Sequence, residues 1–578
     1  KSPVFRGTFY FCYLAAMDNA AISENFSLLS KLMDIHGDNS FKSKTYSVAA
    51  FNIDKLPMQL KDVDPATLFS IKGIGDSVGK KVQEMLDTGK LAVLEEYILN
   101  TPPGVIEMLA VKGIGPKKIH VIWKEMGIES VGELLYACNE NRLTMYKGFG
   151  EKTQQNVQEA IEFLMKNQGH FLYASVEEIF PQVDAYLKKI FHPYAVAVTG
   201  AFRRQDPVIE ELEFVINCQN DIIKPKLVTA HPPELLEETN STLLYKLQNG
   251  LRIRFYTGAS PFDERLFTTT GTSSFNEAFF GKFTSITFTG SDTGSDEPVF
   301  EQAGLPYIPP FLRNDAGILS DEKRQQTIPS VITPADIRSV IHSHSNWSDG
   351  SNTIEEMAAE CIKRGYEYLV ISDHSRAAAY ANGLSEERIR EQHRYIDTLN
   401  QQLAPFRIFK SIECDILNDG SMDYSNTILS TFDLVIASVH SNLKMTEEKA
   451  MNRLLSAIAN PYVTILGHMT GRLLLSRNGY PVDHKKIIAA CIENKVVIEI
   501  NAHPRRLDID WQWVYYAAEQ GALLSINPDA HTLEGYDDIR YGVLAAQKGS
   551  LLPSQNLSSF SLKEFDSFLA SQKQKRAN

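Results

Sequence analysis

From Val331 onward the chain repeats one unit seven times: a short apolar run followed by an amphipathic segment. The runs are SVIHSH, YEYLVISDH, FRIFKSIECD, FDLVIASVH, YVTILGH, KVVIEINAH and GALLSINPDAH. Segments such as TIEEMAAECIKRGY and DHKKIIAACIENK lie between them. Strict alternation of strand and helix predicts parallel βα units, because two parallel strands need a crossover long enough to hold a helix. Seven such units predict a distorted (β/α)7 barrel over residues 333–578, related to the eight-fold type.

The polar residues stand at the C-terminal end of each run. His342 and His344 end the first, His374 the second, Glu413 the third, His440 the fourth and His468 the fifth, while Asp529 and His531 end the seventh. Asp349 follows His344 by five residues. In a parallel barrel all C-terminal strand ends meet on one face, where such folds build their sites. Six of the chain's 14 histidines and three acids are therefore expected to converge. Imidazole and carboxylate without thiolate suit Zn²⁺, Mn²⁺ or Fe²⁺. Adjacent divalent cations lower the pKa of water toward neutrality and neutralise phosphate oxygens, so no separate general base is required. Glu499 and Asn501 end the sixth run and are expected behind the ligands. Arg472, Arg505, Arg506 and Arg376 are candidates to contact a phosphate.

This constellation resembles the polymerase-and-histidinol-phosphatase (PHP) domain, and the nine ligand positions of that family are all filled here. The resemblance implies three divalent ions. His342, His344, Glu413 and Asp529 would hold one; Glu413 would bridge to a second held with His440 and His468; Asp349, His374 and His531 would hold the third. His342, His344, Glu413, Asp529 and Arg472 are the expected catalytic residues.

A different repeat precedes this region. IKGIGDSVGKKV, VKGIGPKKIHVI and YKGFGEKTQQNV each pair two glycines with lysines ahead of a helical pattern. The glycines, Gly73 and Gly75, Gly113 and Gly115, Gly148 and Gly150, permit a tight turn. The first N–H groups of the following helix then face outward and attract an anion. Lys80, Lys81, Lys112, Lys117, Lys118, Lys147 and Lys152 cluster at the turns. The pattern resembles the helix-hairpin-helix motif of DNA-binding proteins. It implies contact with the sugar-phosphate backbone, independent of base sequence. A net charge of −13 excludes an indiscriminate nucleic-acid binder with a broadly basic surface, but not a local basic groove.

Between these regions, YAVAVTG, AFRRQDPVIEELEFVINC, GLRIRFYT and EQAGLPYIPPFLR resemble the palm and thumb of family X DNA polymerases, the bacterial members of which carry a C-terminal PHP domain. That family has Gly-Ser before its arginine pair and three metal-binding aspartates. Here the positions read Gly200–Ala201, Glu211, Glu213 and Arg254. Two-metal phosphoryl transfer needs acidic oxygens on both cations, and a guanidinium at the third position opposes a cation outright. Arg254 is expected to pair with Glu211 or Glu213.

The fold class expected is thus multidomain α and α/β: a helical helix-hairpin-helix region, a nucleotidyltransferase-like α+β palm and thumb, and the barrel. The boundaries expected are 17–95 and 96–170 for two helical parts, 171–325 for palm and thumb, 326–332 for a linker and 333–578 for the barrel. Residues 1–16 read as an extension ahead of Met17. No apolar run reaches the roughly 18–20 residues that cross a bilayer, and the six scattered cysteines form no C-x-x-C pair, as in a reducing compartment. The expectation is a cytoplasmic, monomeric DNA-repair enzyme: a metal-dependent phosphoesterase trimming 3′ ends, with possible action at abasic sites or 3′-phosphates and without polymerase activity. The alternatives are an active polymerase, a small-molecule phosphatase of the histidinol-phosphatase type, and a non-catalytic DNA-binding scaffold.

Overall fold

The computed structural model describes residues 17–56, 58–69, 71, 74–227 and 232–577. Residues 1–16 and Gly73 lie outside them. The chain divides into two compact units at Gln168/Gly169.

The first unit is helical. Its helix Asn19–His36 starts where the Asp18 carboxylate accepts from the Ala21 N–H, and it stops at Gly37, whose φ of +80° favours glycine. Ile22, Phe26, Leu29 and Met33 recur at helical spacing and are buried. The boundary expected at 95/96 is not a break in packing, because one apolar core runs from Ile22 to Ile161. Polar contacts cross it as well: His36 meets the Thr101 hydroxyl at 2.8 Å, and His120 Nδ1 lies 2.8 Å from the Ile35 carbonyl.

The second unit opens with a five-stranded sheet. Its order is Val196–Thr199, Glu211–Ile216, Arg252–Tyr256, Thr242–Lys246, Glu234–Glu238. Only Glu211–Ile216 and Arg252–Tyr256 run parallel. Strand alternation sends Leu212 and Phe214 into the core and Glu211 and Glu213 to the other face. The expected linker 326–332 is not a loose tether. Residues Glu322–Thr327 and Ile328–Ser330 are helical turns, and Ile332 is buried in the barrel core with its N–H on the Leu551 carbonyl. Burying that apolar side chain outweighs the entropy a free linker would keep. Nearby, the fully buried ammonium of Lys548 donates to the Arg204 carbonyl, Asp206 Oδ1 and Asn314 Oδ1, at 2.7–2.8 Å, fastening barrel to palm.

The barrel strands are parallel throughout. They are Ser339–Val340, Tyr368–Ile371, a third strand broken into Arg407–Lys410 and Glu413–Asp415, then Ile436–Ser438, Ile465–Leu466, Val497–Asn501 and Leu524–Asn527. The first half of the broken strand pairs backward and the second half forward. A bridge between Ser343 and Ala530 closes the ring. Strand residues such as Val340, Leu369, Ile408, Ala437, Ile498 and Ile526 are fully or almost fully buried, as strands covered on both faces must be. No helix among the described residues is long and apolar enough to cross a membrane.

Candidate metal centre and nucleic-acid surfaces

Nine side chains at or just past the C-terminal strand ends form one cluster around the buried Glu413, with Asp349 and His531 on its part-exposed side. Glu413 Oε1 lies 3.3 Å from His342 Nε2, 3.2 Å from His440 Nε2 and 3.0 Å from His468 Nε2. Its Oε2 lies 3.0 Å from His374 Nδ1 and 3.7 Å from His344 Nε2. Asp529 Oδ1 sits 3.4 Å from His342 Nε2 and 3.1 Å from His344 Nε2. Asp349 Oδ1 faces His374 Nε2 at 3.6 Å and His531 Nε2 at 3.5 Å. His342 and Asp529 leave their strands at φ +67° and +53°, conformations that cost energy in non-glycine residues and gather at functional sites.

Three sets of these groups bring their donor atoms within a cation's reach: His342, His344, Glu413 and Asp529; His374, Glu413 and His440; and His344, Asp349, His374 and His531. The first is the expected set. The other two differ from the expected partition. His374 joins Glu413 and His440 where His468 was expected, although His468 still touches Glu413, and His344 is shared with the third set. The His344 ring stacks on both His374 and His531, at centroid distances of 4.3 and 4.2 Å, which brings it within reach of the third set.

Partners behind the imidazoles fix which nitrogen faces inward. His342 Nδ1 lies 2.6 Å from Glu499 Oε2, His440 Nδ1 2.7 Å from Asp415 Oδ1, and His531 Nδ1 3.0 Å from the Asp529 carbonyl. Each contact leaves Nε2 for the cluster. Glu499 also accepts from the His468 N–H and from the Asn501 and Asn527 amides. Asp415 and Asp373 are site residues that the sequence pattern does not single out. Asp373 is fully buried and accepts from the Ser345 N–H at 2.8 Å, Ser345 Oγ at 2.6 Å, Ser348 Oγ at 2.5 Å and the Gln392 amide at 2.6 Å. It ties down the loop that carries Asp349. The serines of SHSNWSD were the available signal.

The electrostatics call for positive charge here. Burial alone would lower the His440 imidazole, but Glu413 and Asp415 push it up to about 10. His342 is likewise raised against burial by Glu499, Asp529 and Glu413. Burial would raise the Glu413 carboxyl, yet His440, His342 and His374 hold it well below the usual range. Burial, with His531 and His374 pressed against it, pushes His344 down to about 3, preserving the neutral form that ligates a cation. His342 Nε2, His374 Nδ1, Glu413 Oε2 and Asp349 Oδ1 are buried without a hydrogen-bond partner. Each such atom costs about 1–3 kcal/mol, and shared divalent cations would satisfy all four. The donor set fits that role.

The expectation that Arg472 contacts a phosphate is corrected. Its guanidinium pairs with Asp510 and donates to the Arg506 and Leu507 carbonyls. These bonds spend it on bracing the loop after the sixth strand. That loop instead aims Arg506 at the cluster, with Nε 3.5 Å from Asp529 Oδ2. Arg505 lies beside it and donates its N–H to His503 Nδ1, and Arg376 is held by Asp423 at 3.2 Å.

In the palm two of the three altered positions, Arg254 and Glu211, neutralise each other. Arg254 donates from Nε to Glu211 Oε2 at 2.6 Å and from Nη2 to Oε1 at 3.3 Å. Glu213 folds back onto the turn at Gly200, accepting from the Ala201 N–H at 3.1 Å and the Tyr256 hydroxyl at 2.8 Å. A Cβ at position 200, where φ is +65°, would lie 1.7 Å from Glu213 Oε1, so this turn requires glycine. Burial raises the Glu213 carboxyl. Among the described residues, every cluster suited to a cation lies in the barrel and none in the palm. Arg203 and Arg204 are also committed, to Asp296 and Asp206.

The hairpins of the first unit begin their helices at Gly75, Gly115 and Gly150 with no side-chain cap. Their first-turn N–H groups are thus left for water or an anion. Gly113 and Gly148 adopt φ +96° and +95°. Nothing lies within 4 Å of a Cβ built at Gly113, Gly115, Gly148 or Gly150, so these turns are open to approach. Ile74, Ile114 and Phe149 anchor the turns in the core. Asp76 and Glu151 open the first and third helices, which weakens them for anions; the second opens with Pro116, Lys117 and Lys118. Lys80 and Lys117 are exposed.

Comparisons with known proteins agree with this layout. Residues 17–91 match the model of a helix-hairpin-helix domain, 105–162 a SAM-like helix-hairpin-helix tandem, and 341–503 the PHP domain. The chain is 31% identical over 567 residues to the DNA polymerase/3′-5′ exonuclease PolX of Bacillus subtilis (strain 168), covering 93% of this chain and 96% of that one. The chain is 28% identical over 169 residues to a probable phosphatase of Acetivibrio thermocellus, covering 28% of this chain and 64% of the relative. It is 26% identical over 207 residues to the probable phosphatase YcdX of Escherichia coli O127:H6, covering 33% and 78%.

Proposed function

The chain belongs to the family X DNA polymerases that carry a C-terminal PHP domain, and from that premise we propose that it is a DNA-bound, metal-dependent phosphoesterase whose polymerase centre is inactive. The reaction proposed is hydrolytic removal of nucleotides from a 3′ end, extending to abasic sites and 3′-phosphates. DNA repair in the cytoplasm is the setting proposed for it. Residues 17–170 would hold the DNA backbone without reading sequence, 171–325 would serve as scaffold, and 333–578 would carry out the hydrolysis.

The observation that carries the reading is the contrast between two sites in one chain. The barrel gathers eight side chains, in three sets, within a cation's reach of one another, with His468 against Glu413 as a ninth, and four of their inward atoms are buried without a hydrogen-bond partner, whereas the palm pairs Arg254 with Glu211. Three divalent ions, of zinc or manganese or in part iron, would be held by His342, His344, Asp349, His374, Glu413, His440, His468, Asp529 and His531. When bound, they would supply the acidity that makes water a nucleophile at neutral pH and would offset charge on the phosphate. Glu413 sets the spacing of the imidazoles, because its two oxygens divide them between them. Glu499 and Asp415 hold His342 and His440 with Nε2 inward. Arg506 is placed to orient a phosphate oxygen. The barrel's likeness to probable phosphatases favours a second reading, turnover of small phosphomonoesters, but the three hairpins favour DNA.

Incubation of 3′-labelled and 5′-labelled DNA with the protein and Mn²⁺ tests the proposal. Stepwise shortening from the 3′ end is expected, abolished in a His342→Ala/His344→Ala variant that still binds DNA. Cleavage that persists in this variant would overturn it, as would turnover of phosphomonoesters with no action on DNA.

A further inference from the structure

One aromatic side chain at the mouth of the metal cluster is left largely exposed. Tyr380 is 74% exposed, and within the barrel only one other large apolar side chain among the described residues, Ile362 at 45%, is exposed to a comparable degree. Ile362 lies within the helix Ile354–Lys363. Tyr380 stands over the site: its ring centroid is 6.4 Å from that of His374, with the planes at 52°.

The segment that presents the ring is firmly held. Arg376 and Ala377 donate their N–H groups to the Tyr424 hydroxyl at 3.0 Å and Asp423 Oδ2 at 2.7 Å. On the far side Asn382 Nδ2 reaches the Trp347 carbonyl at 3.2 Å, and the Leu384 N–H bonds the His374 carbonyl at 2.9 Å. An aromatic face fixed in water beside a phosphate-directed site loses little entropy on meeting a flat partner.

We propose that Tyr380 stacks on the base of the terminal nucleotide whose phosphodiester lies at the metal cluster. The Tyr380 ring would select a base-bearing end over a bare sugar phosphate, and any base would serve, since every base offers a π face. This inference rests on the reading of the barrel as a DNA phosphoesterase.

Two measurements test it on the full chain loaded with Mn²⁺. Calorimetry compares binding of dTMP with that of deoxyribose 5-phosphate. Cleavage kinetics compare DNA ending in thymidine with DNA ending in an abasic tetrahydrofuran nucleotide. Stacking of one base predicts a preference of roughly tenfold or more for the base in affinity and in KM. Tyr380→Ala should collapse both ratios toward one, while Tyr380→Phe and Tyr380→Trp keep them. Absence of a preference in the native chain, its survival in Tyr380→Ala, or its loss in Tyr380→Phe would overturn the proposal; the last would assign the contact to the hydroxyl. Failure of the native chain to cut either DNA would count against the phosphoesterase reading alone, because the calorimetric ratio still reports on Tyr380.

Discussion

His342 Nδ1 lies 2.6 Å from Glu499 Oε2 behind the metal-ligand cluster, and both side chains are fully buried. The carboxylate fixes the imidazole with Nε2 toward Glu413 and raises its basicity as a ligand. Glu499→Gln keeps the shape and removes the charge. It should weaken metal binding by about 10–100-fold, as measured by competition with a chelator. Unchanged affinity would mean that Glu499 only fills space.

The Arg254–Glu211 pair predicts that primer extension with dNTPs is absent even with Mn²⁺. A cation there would have to displace a bidentate guanidinium. Gel analysis of extension decides the matter. Extension that disappears in Glu213→Ala would restore the palm as a working centre.

Lys117 and Lys118 open the second hairpin helix, the one without an acid in its first turn. Replacing both with Ala should weaken binding to all DNA sequences alike. The slope of log K against log salt should become shallower by about 0.9 for each phosphate that the variant no longer neutralises. The same change at the first hairpin, where Asp76 follows Gly75, should cost less. Fluorescence anisotropy at several salt concentrations measures both.

Burial, aided by the neighbouring Asp537, pushes the Asp538 carboxyl from 3.8 up to about 7. The folded state then binds this proton more tightly than the unfolded chain does. Its contribution to stability is fully present below pH 3.8 and is lost as pH rises through about 7. Asp538→Asn should therefore raise Tm at pH 8 and leave it nearly unchanged at pH 3.5, with a gain of about 1–4 kcal/mol at the higher pH. Melting curves of both proteins at the two pH values test the sign. An equal effect at both would exclude the titration.

Much of the site was legible in the chain. A strand has a period of two and a parallel barrel has one active rim, so the position of His342, His374, Glu413, His440, His468 and Asp529 at the ends of apolar runs already implied convergence. The exchange of aspartates for Glu211, Glu213 and Arg254 likewise pointed to an ion pair but left its carboxylate open between Glu211 and Glu213; the structure chose Glu211. The roles of Arg472 and Arg506 were not legible. Four residues past His468, the first looked equally able to reach a phosphate; its commitment to Asp510 depends on the path of a loop beginning some 30 residues later.

Periodicity and the valence of side chains were enough to set the order of elements, the metal-ligand chemistry and the face on which it gathers, since both can be read along the chain. Folding in three dimensions was needed to make His344 common to two ligand sets, to tie the Asp349 loop to Asp373, to pack residues 326–332 rather than leave them as a tether, and to stand Tyr380 exposed above the cluster. Each of these depends on distances between segments far apart in the chain. Packing sets those distances through many weak contacts at once, and no local pattern records them.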